Sequence, residues 1–125
     1  MIPFPVEIDS SQPVYEQIGK AARRAMASGL LRAGDPFPSV RAISKDLRVN
    51  PNTIHKVVSK LIEDGLLEVV PGRGTFVSRD LPEKQEIRDS LLERHGSALA
   101  EEAKRLGMSK KDFARYCESI WRNLP

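Results

Sequence analysis

Residues 37–77 read FPSVRAISKDLRVNPNTIHKVVSKLIEDGLLEVVPGRGTFV, and the fold turns on this stretch. It divides into two helical patterns, a tight turn between them, and a β-hairpin with a Gly-Arg-Gly tip. In that order these are the parts of a winged helix-turn-helix, a module that lays one helix in a DNA major groove. The second helical pattern is the clearest. Asn50 can cap it by accepting a bond from an otherwise unpaired backbone N–H. Pro51 follows at the first helical position, where a missing N–H costs nothing. Ile54, Val57, Val58, Leu61 and Ile62 then recur at helical spacing and make one apolar stripe. Gly65 stands just past Asp64, where a left-handed residue closes a helix. The opposite face holds Asn52, Thr53, His55, Lys56, Ser59 and Lys60, several of which can donate to phosphates or base edges.

The helix before it is short. Ser39 is its expected N-cap, Val40, Ile43 and Leu47 point inward, and Arg48-Val49 turn the chain into Asn50. After Gly65, residues 66–70 (LLEVV) read as a strand and residues 75–77 (TFV) as its partner. Gly72 and Gly74 flank Arg73 and let the backbone approach another molecule closely. Arg73 then projects from the tip, a geometry suited to a minor groove or a phosphate.

The whole chain has 125 residues, 40% of them hydrophobic and 30% charged, which bounds it to one domain, or one compact domain with an appendage. The expected class is mainly α with a small β-hairpin: a winged helix-turn-helix over 1–80 and a C-terminal two-helix dimerisation tail over 81–125. No apolar run approaches the roughly 18–20 residues that span a bilayer, and the N-terminus lacks a signal-peptide pattern, so a cytoplasmic protein is expected. The net charge is +3. Residues 38–79 carry seven basic side chains (Arg41, Lys45, Arg48, Lys56, Lys60, Arg73, Arg79) against four acidic ones, so the whole excess lies on the reader. The single Cys117, four residues before Trp121, excludes an internal disulfide and is expected to be a buried thiol. His55 and His95 lack partners at metal-ligand spacing, and no catalytic constellation stands out, so no metal, cofactor or catalytic residue is assigned.

Residues 1–12 read as an extended arm, with the pattern of a short strand at Val6-Glu7-Ile8. Pro13 begins a helix whose apolar face is Val14, Ile18, Ala21, Ala22, Ala25 and Met26, ended by Ser28-Gly29. Residues 30–36 read as a loop. Beyond Pro82 the pattern is helical throughout. Gly96 interrupts it, marking a kink or a close contact, and Ser109 caps a last helix. Ile87, Leu91, Leu99 and Leu106, then Phe113, Ile120 and Trp121, form apolar faces that two helices cannot bury alone. They must pack on the first domain or on a second copy, and pairing of two copies is the expectation, because winged-helix proteins read two-fold symmetric DNA as dimers.

Three motifs carry a family resemblance: PVYEQI at 13–18, SGLLRAGDPFPSVRAIS at 28–44, and VNPNTIHKVVSKLIEDGLLEVVPGRGTFV at 49–77. Over about the first 78 residues the chain resembles the GntR family of bacterial transcription regulators, and its short helical tail resembles the YtrA-like subfamily. The resemblance implies a homodimeric repressor, often of operons that include ABC transporter genes, binding palindromic double-stranded DNA. It implies DNA contacts from Arg41, Asn52, Thr53 and His55, and from the wing tip at Gly72 and Arg73. Pro51 stands where many members have Arg, so a groove contact there is lost or passes to a neighbour such as Lys56. The candidate DNA-binding set is therefore Ser39, Arg41, Asn50, Asn52, Thr53, His55, Lys56, Gly72, Arg73 and Gly74. An unknown small-molecule effector stays open. The rival reading is a winged-helix protein-interaction module without DNA readout. It expects aromatic or apolar anchors on the outward face of residues 50–63, where the sequence has none.

Overall fold

A computed structural model describes residues 2–125. The order of elements is α1 (Val14–Ser28), α2 (Val40–Leu47), α3 (Pro51–Glu63), β1 (Leu67–Val70), β2 (Gly74–Val77), α4 (Lys84–Arg105) and α5 (Lys110–Asn123). The chain forms two compact units, one ending at Leu91 and the other running from Leu92 to Pro125.

The first unit is built on a single apolar core. Ile18, Ala22 and Met26 of α1, Ile43 of α2, and Ile54, Val57 and Leu61 of α3 are buried together. The small side chains at 21, 22 and 25 let α3 approach α1 closely. The helix ends are set locally. The Ser39 hydroxyl accepts from the Ala42 N–H at 3.0 Å and starts α2. The Asn50 side chain accepts from the Asn52 N–H at 2.8 Å and starts α3. Arg48 takes a left-handed conformation (φ 55°) between them, which folds α2 back onto α3. Past Asp64, Gly65 (φ 78°) turns the chain into the hairpin.

β1 and β2 pair antiparallel with Leu67 opposite Val77 and Val70 opposite Gly74. The stretch expected to be a loop contributes a further edge. Gly34 N–H donates to the Val77 carbonyl at 2.9 Å, Val77 N–H to Asp35 at 2.8 Å, and Phe37 N–H to Thr75 at 2.9 Å. Pro36 sits opposite Phe76 in this pairing. Its missing N–H is harmless there, because the bonds run through Gly34, Asp35 and Phe37.

Three further expectations change. Val6-Glu7-Ile8 forms no strand; the arm is held by its side chains instead. Phe4 is 3% exposed and stacks on Phe37 with ring centroids 5.7 Å apart, and Ile2 is buried in the same core. Gly96 lies inside a continuous helix, and a Cβ there would meet nothing within 4 Å, so it marks no close contact. Ile62 lies at the edge of its stripe, 36% exposed.

In the second unit α4 ends at Arg105 and Gly107 (φ 76°) turns the chain, with Met108 N–H returning to the Ala103 carbonyl at 3.0 Å. Ser109 then caps α5 by accepting from the Asp112 N–H at 3.1 Å. Ala103 is buried, but α5 has no buried residue at all. Cys117 is half-buried rather than buried.

The arm therefore belongs to the core. Phe4→Ala is expected to cost about 3 kcal/mol of unfolding free energy, as buried Phe truncations do, read from urea denaturation. An exposed arm residue would move it by no more than about 0.5 kcal/mol.

Candidate nucleic-acid interface

α3 presents the face that its own packing turns outward. At about 100° per residue, Ile54, Val57 and Leu61 occupy one side. Asn52, His55, Lys56 and Ser59 fall on the other, and all four are exposed. Thr53 lies on the flank and is half-buried. Two of the capping residues keep donors in reserve. The Asn50 side-chain oxygen is spent on Asn52 N–H, but its amide N–H groups remain. The Ser39 oxygen accepts from Ala42, while its hydroxyl proton is available to a phosphate.

Arg41 begins a second exposed row. Arg41, Lys45 and Arg48 recur at helical spacing, opposite the buried Ile43, and all are exposed. Among the described residues none of the three, nor Lys56, is in an ion pair. Lys45 and Arg48 were legible as part of the basic excess but not as one row with Arg41; only the helix phase of α2 shows that. Ser59 is likewise in the outward row of α3, one turn beyond His55, without being in the candidate set. Lys60, by contrast, lies 3.4 Å from Asp64 and is committed to it.

The wing tip is a three-residue loop. Arg73 N–H donates to the Val70 carbonyl at 2.9 Å across Pro71 and Gly72. Gly72 (φ 76°) and Gly74 (φ 117°) both need positive φ, which a side chain would strain. Arg73 between them is exposed, and its guanidinium lies 5.9 Å from the centre of the Phe76 ring. The candidate DNA-binding residues thus occupy the N-terminal ends of α2 and α3 and the tip of the hairpin.

The tail candidates divide. Ile87 is 4% exposed within the core of the first unit, and Leu91 packs against that core. Leu99, Leu106, Ile120 and Trp121 are exposed in the second unit, and Phe113 is half-buried there. Among the described residues no cluster of His, Cys, Asp and Glu could hold a metal ion. No helix among them is long and apolar enough to cross a membrane.

One ion pair ties the far end of α3 to α1. Arg23 Nη2 donates to Asp64 Oδ2 at 2.5 Å. This bond holds the Asp64 carboxyl below the usual carboxylate range; burial opposes the shift, and Lys60 assists it. A depressed folded pKa gives stability that is present above the unfolded value and is lost as pH falls through the folded one. Arg23→Ala should therefore cost about 0.5–1 kcal/mol near neutrality, the range of a partly exposed pair. The difference from the parent should shrink as pH drops below about 4, measured by urea melts at pH 7 and pH 3.

A profile of bacterial regulatory proteins, gntR family, matches residues 14–77. The HTH-type transcriptional repressor YtrA of Bacillus subtilis is 33% identical over 103 residues, which cover 81% of this chain and 75% of that protein. A GntR family transcriptional regulator from Listeria monocytogenes has the same fold with a TM-score of 0.79 at 26% identity, over 90% of this chain and 98% of the other. The DNA-binding domain of AraR in complex with operator ORE1 matches 62% of this chain and 98% of its own, with a TM-score of 0.51 and 26% identity. Sequence and fold agree with the exposed face of α3 and the glycine-flanked wing: the chain belongs to the gntR family of bacterial regulatory proteins and is a DNA-binding transcription regulator.

Proposed function

We propose that this regulator is a homodimeric repressor that reads a two-fold symmetric operator in the cytoplasm. The observation that carries the reading is the outward face of α3, polar from Asn52 to Ser59 and without an apolar anchor. A protein-docking surface would need such an anchor at its centre. Asn52 and His55 are the base readers, with Arg41 beside them at the start of α2. Ser39, Asn50, Thr53 and Lys56 bind phosphates, and Gly72, Arg73 and Gly74 bring the wing against the minor groove. Residues 1–80 carry this reader, and residues 81–125 pair two copies. The relatives named above are regulators, and no enzymatic role is assigned.

Support for pairing comes from the second unit. Leu92 (57% exposed) and Leu99 (41%) recur at seven-residue spacing along α4, and Leu106 (70%) continues the row just past its end. Tyr116, Ile120 and Trp121 are exposed on α5, and Leu124 is exposed just past its end. A monomer would leave all of this apolar surface in water, whereas a second copy would cover it. Ile87 and Leu91 have their partners in the first unit, so the pairing face starts after them.

Selection of bound duplexes from a random pool should return a palindrome with half-sites about one helical turn apart. A non-palindromic motif would overturn the symmetric reading, and no enrichment would overturn base readout. Binding should weaken steeply with salt, by about 1,000-fold between 50 and 200 mM if six or more phosphates are neutralised. Arg41→Ala should cost about 1–3 kcal/mol and relax one base position. Leu99→Glu with Ile120→Glu, both at exposed positions, should make a folded monomer in sedimentation. Its affinity for the full operator should fall by about 100-fold, because the second half-site loses its effective concentration.

A further inference from the structure

The wing presents an arginine on an aromatic ring. Phe76 lies on β2 opposite Glu68 of β1 and beside Pro36 of the added edge, so its ring has strand neighbours on both sides. It is half-buried and cannot swing freely. The Arg73 guanidinium sits 5.9 Å from the ring centre, within reach of a cation–π interaction. Glu68 is the acidic side chain directly across from Phe76, yet among the described residues Arg73 pairs with no carboxylate. Nor does any group among them accept a hydrogen bond from its guanidinium.

The chemistry of that arrangement matters. A guanidinium has five N–H donors, all in its plane. An ion pair with Glu68 would consume some of them and cancel the charge. A ring beside the guanidinium takes no carboxylate hydrogen bond from it and leaves its charge uncancelled for a nucleic acid. It also restricts a long, flexible side chain before binding, so less freedom is lost when the wing meets DNA.

We infer that Phe76 is a positioning residue for DNA recognition: its ring holds Arg73 at the wing tip in a direction that sets both affinity and preference at the flank of the half-site. The inference rests on the DNA reading of the wing proposed above. Phe76 touches no DNA on this account and acts only through Arg73. Three consequences separate this role from that of a strand residue which merely keeps the wing folded. The Arg73 side chain is ordered in the free protein, Phe76 and Arg73 are thermodynamically coupled in binding, and another aromatic ring replaces Phe76.

The experiment uses the full chain and duplexes recovered by selection on the parent, with flanks changed between A·T and G·C. In the free protein the Arg73 side-chain protons should be shifted upfield by the ring in NMR spectra, and the shift should vanish in Phe76→Leu. Phe76→Leu should weaken binding about fivefold and flatten the flank preference, while Phe76→Tyr should restore both. In an Arg73→Ala background, Phe76→Leu should have no further effect. Circular dichroism and urea melts establish that each variant is folded. Absence of the ring shift, or an equal loss from Phe76→Leu with and without Arg73, would overturn the inference while leaving the wing's contact with DNA intact. An Arg73→Ala variant that binds like the parent would instead refute the DNA reading of the wing tip. Failure of the parent to select any duplex would refute the DNA reading as a whole.

Discussion

Burial of the inner stripe of α3 is the constraint on which the rest depends. Ile54, Val57 and Leu61 are at most 3% exposed. Side chains of this kind contribute roughly 1.5–3 kcal/mol each when removed from water. Rotating α3 by one residue, about 100°, would bring His55 inward and push Ile54 out. Burying an unpaired polar or charged side chain in exchange costs several kcal/mol more. The direction of Asn52, His55 and Lys56 is therefore set by side chains that never meet a ligand. The cap and the closing glycine fix the remaining freedom, which is where along the chain the helix begins and ends.

The wing depends on the same core by a different route. Leu66 N–H bonds to the Leu61 carbonyl, and Ser78 N–H bonds to the Leu66 carbonyl. The base of the hairpin is thus pinned to the end of α3, while Gly34–Phe37 pairing covers the other edge of β2. A two-stranded hairpin alone is marginal in water, and the extra edge and the buried Leu67–Val77 pair supply what it lacks. Only the tip is released, and it carries Arg73. Charge follows the same division. Arg23 and Lys60 both pair with Asp64 where α3 meets α1, whereas among the described residues the row on α2 and the wing arginine make no ion pair.

How much of this could be read from the sequence follows from how local each determinant is. The α3 boundaries, its polar face, the Ser39 and Ser109 caps and the glycine wing all rest on interactions within a few residues, and those were legible. The arm was not. Phe4 stands between two prolines with no periodicity around it, and its burial depends on Phe37, which is distant in sequence. The edge at Gly34–Phe37 was missed for a related reason: its Gly, Asp and Pro are turn residues, and only β2 supplies the ladder. Cys117 and Ile62 were placed on the right helical stripes, but a stripe's edge and its centre look alike until the neighbouring elements are known.

The apolar residues of α4 show the same limit most clearly. They read as one face, yet the helix carries two. Ile87 and Leu91 are four residues apart and share a side; Leu92 and Leu99 are seven apart and share another, about 100° around the helix. The first pair packs against the core of the winged-helix unit, and the second is exposed. Two partly overlapping stripes along 22 residues blur into a weak overall amphipathicity, so periodicity alone cannot say which leucine has a partner within the chain. It takes the packing of α4 to divide them. That division leaves Leu92 and Leu99 as the exposed leucines of α4.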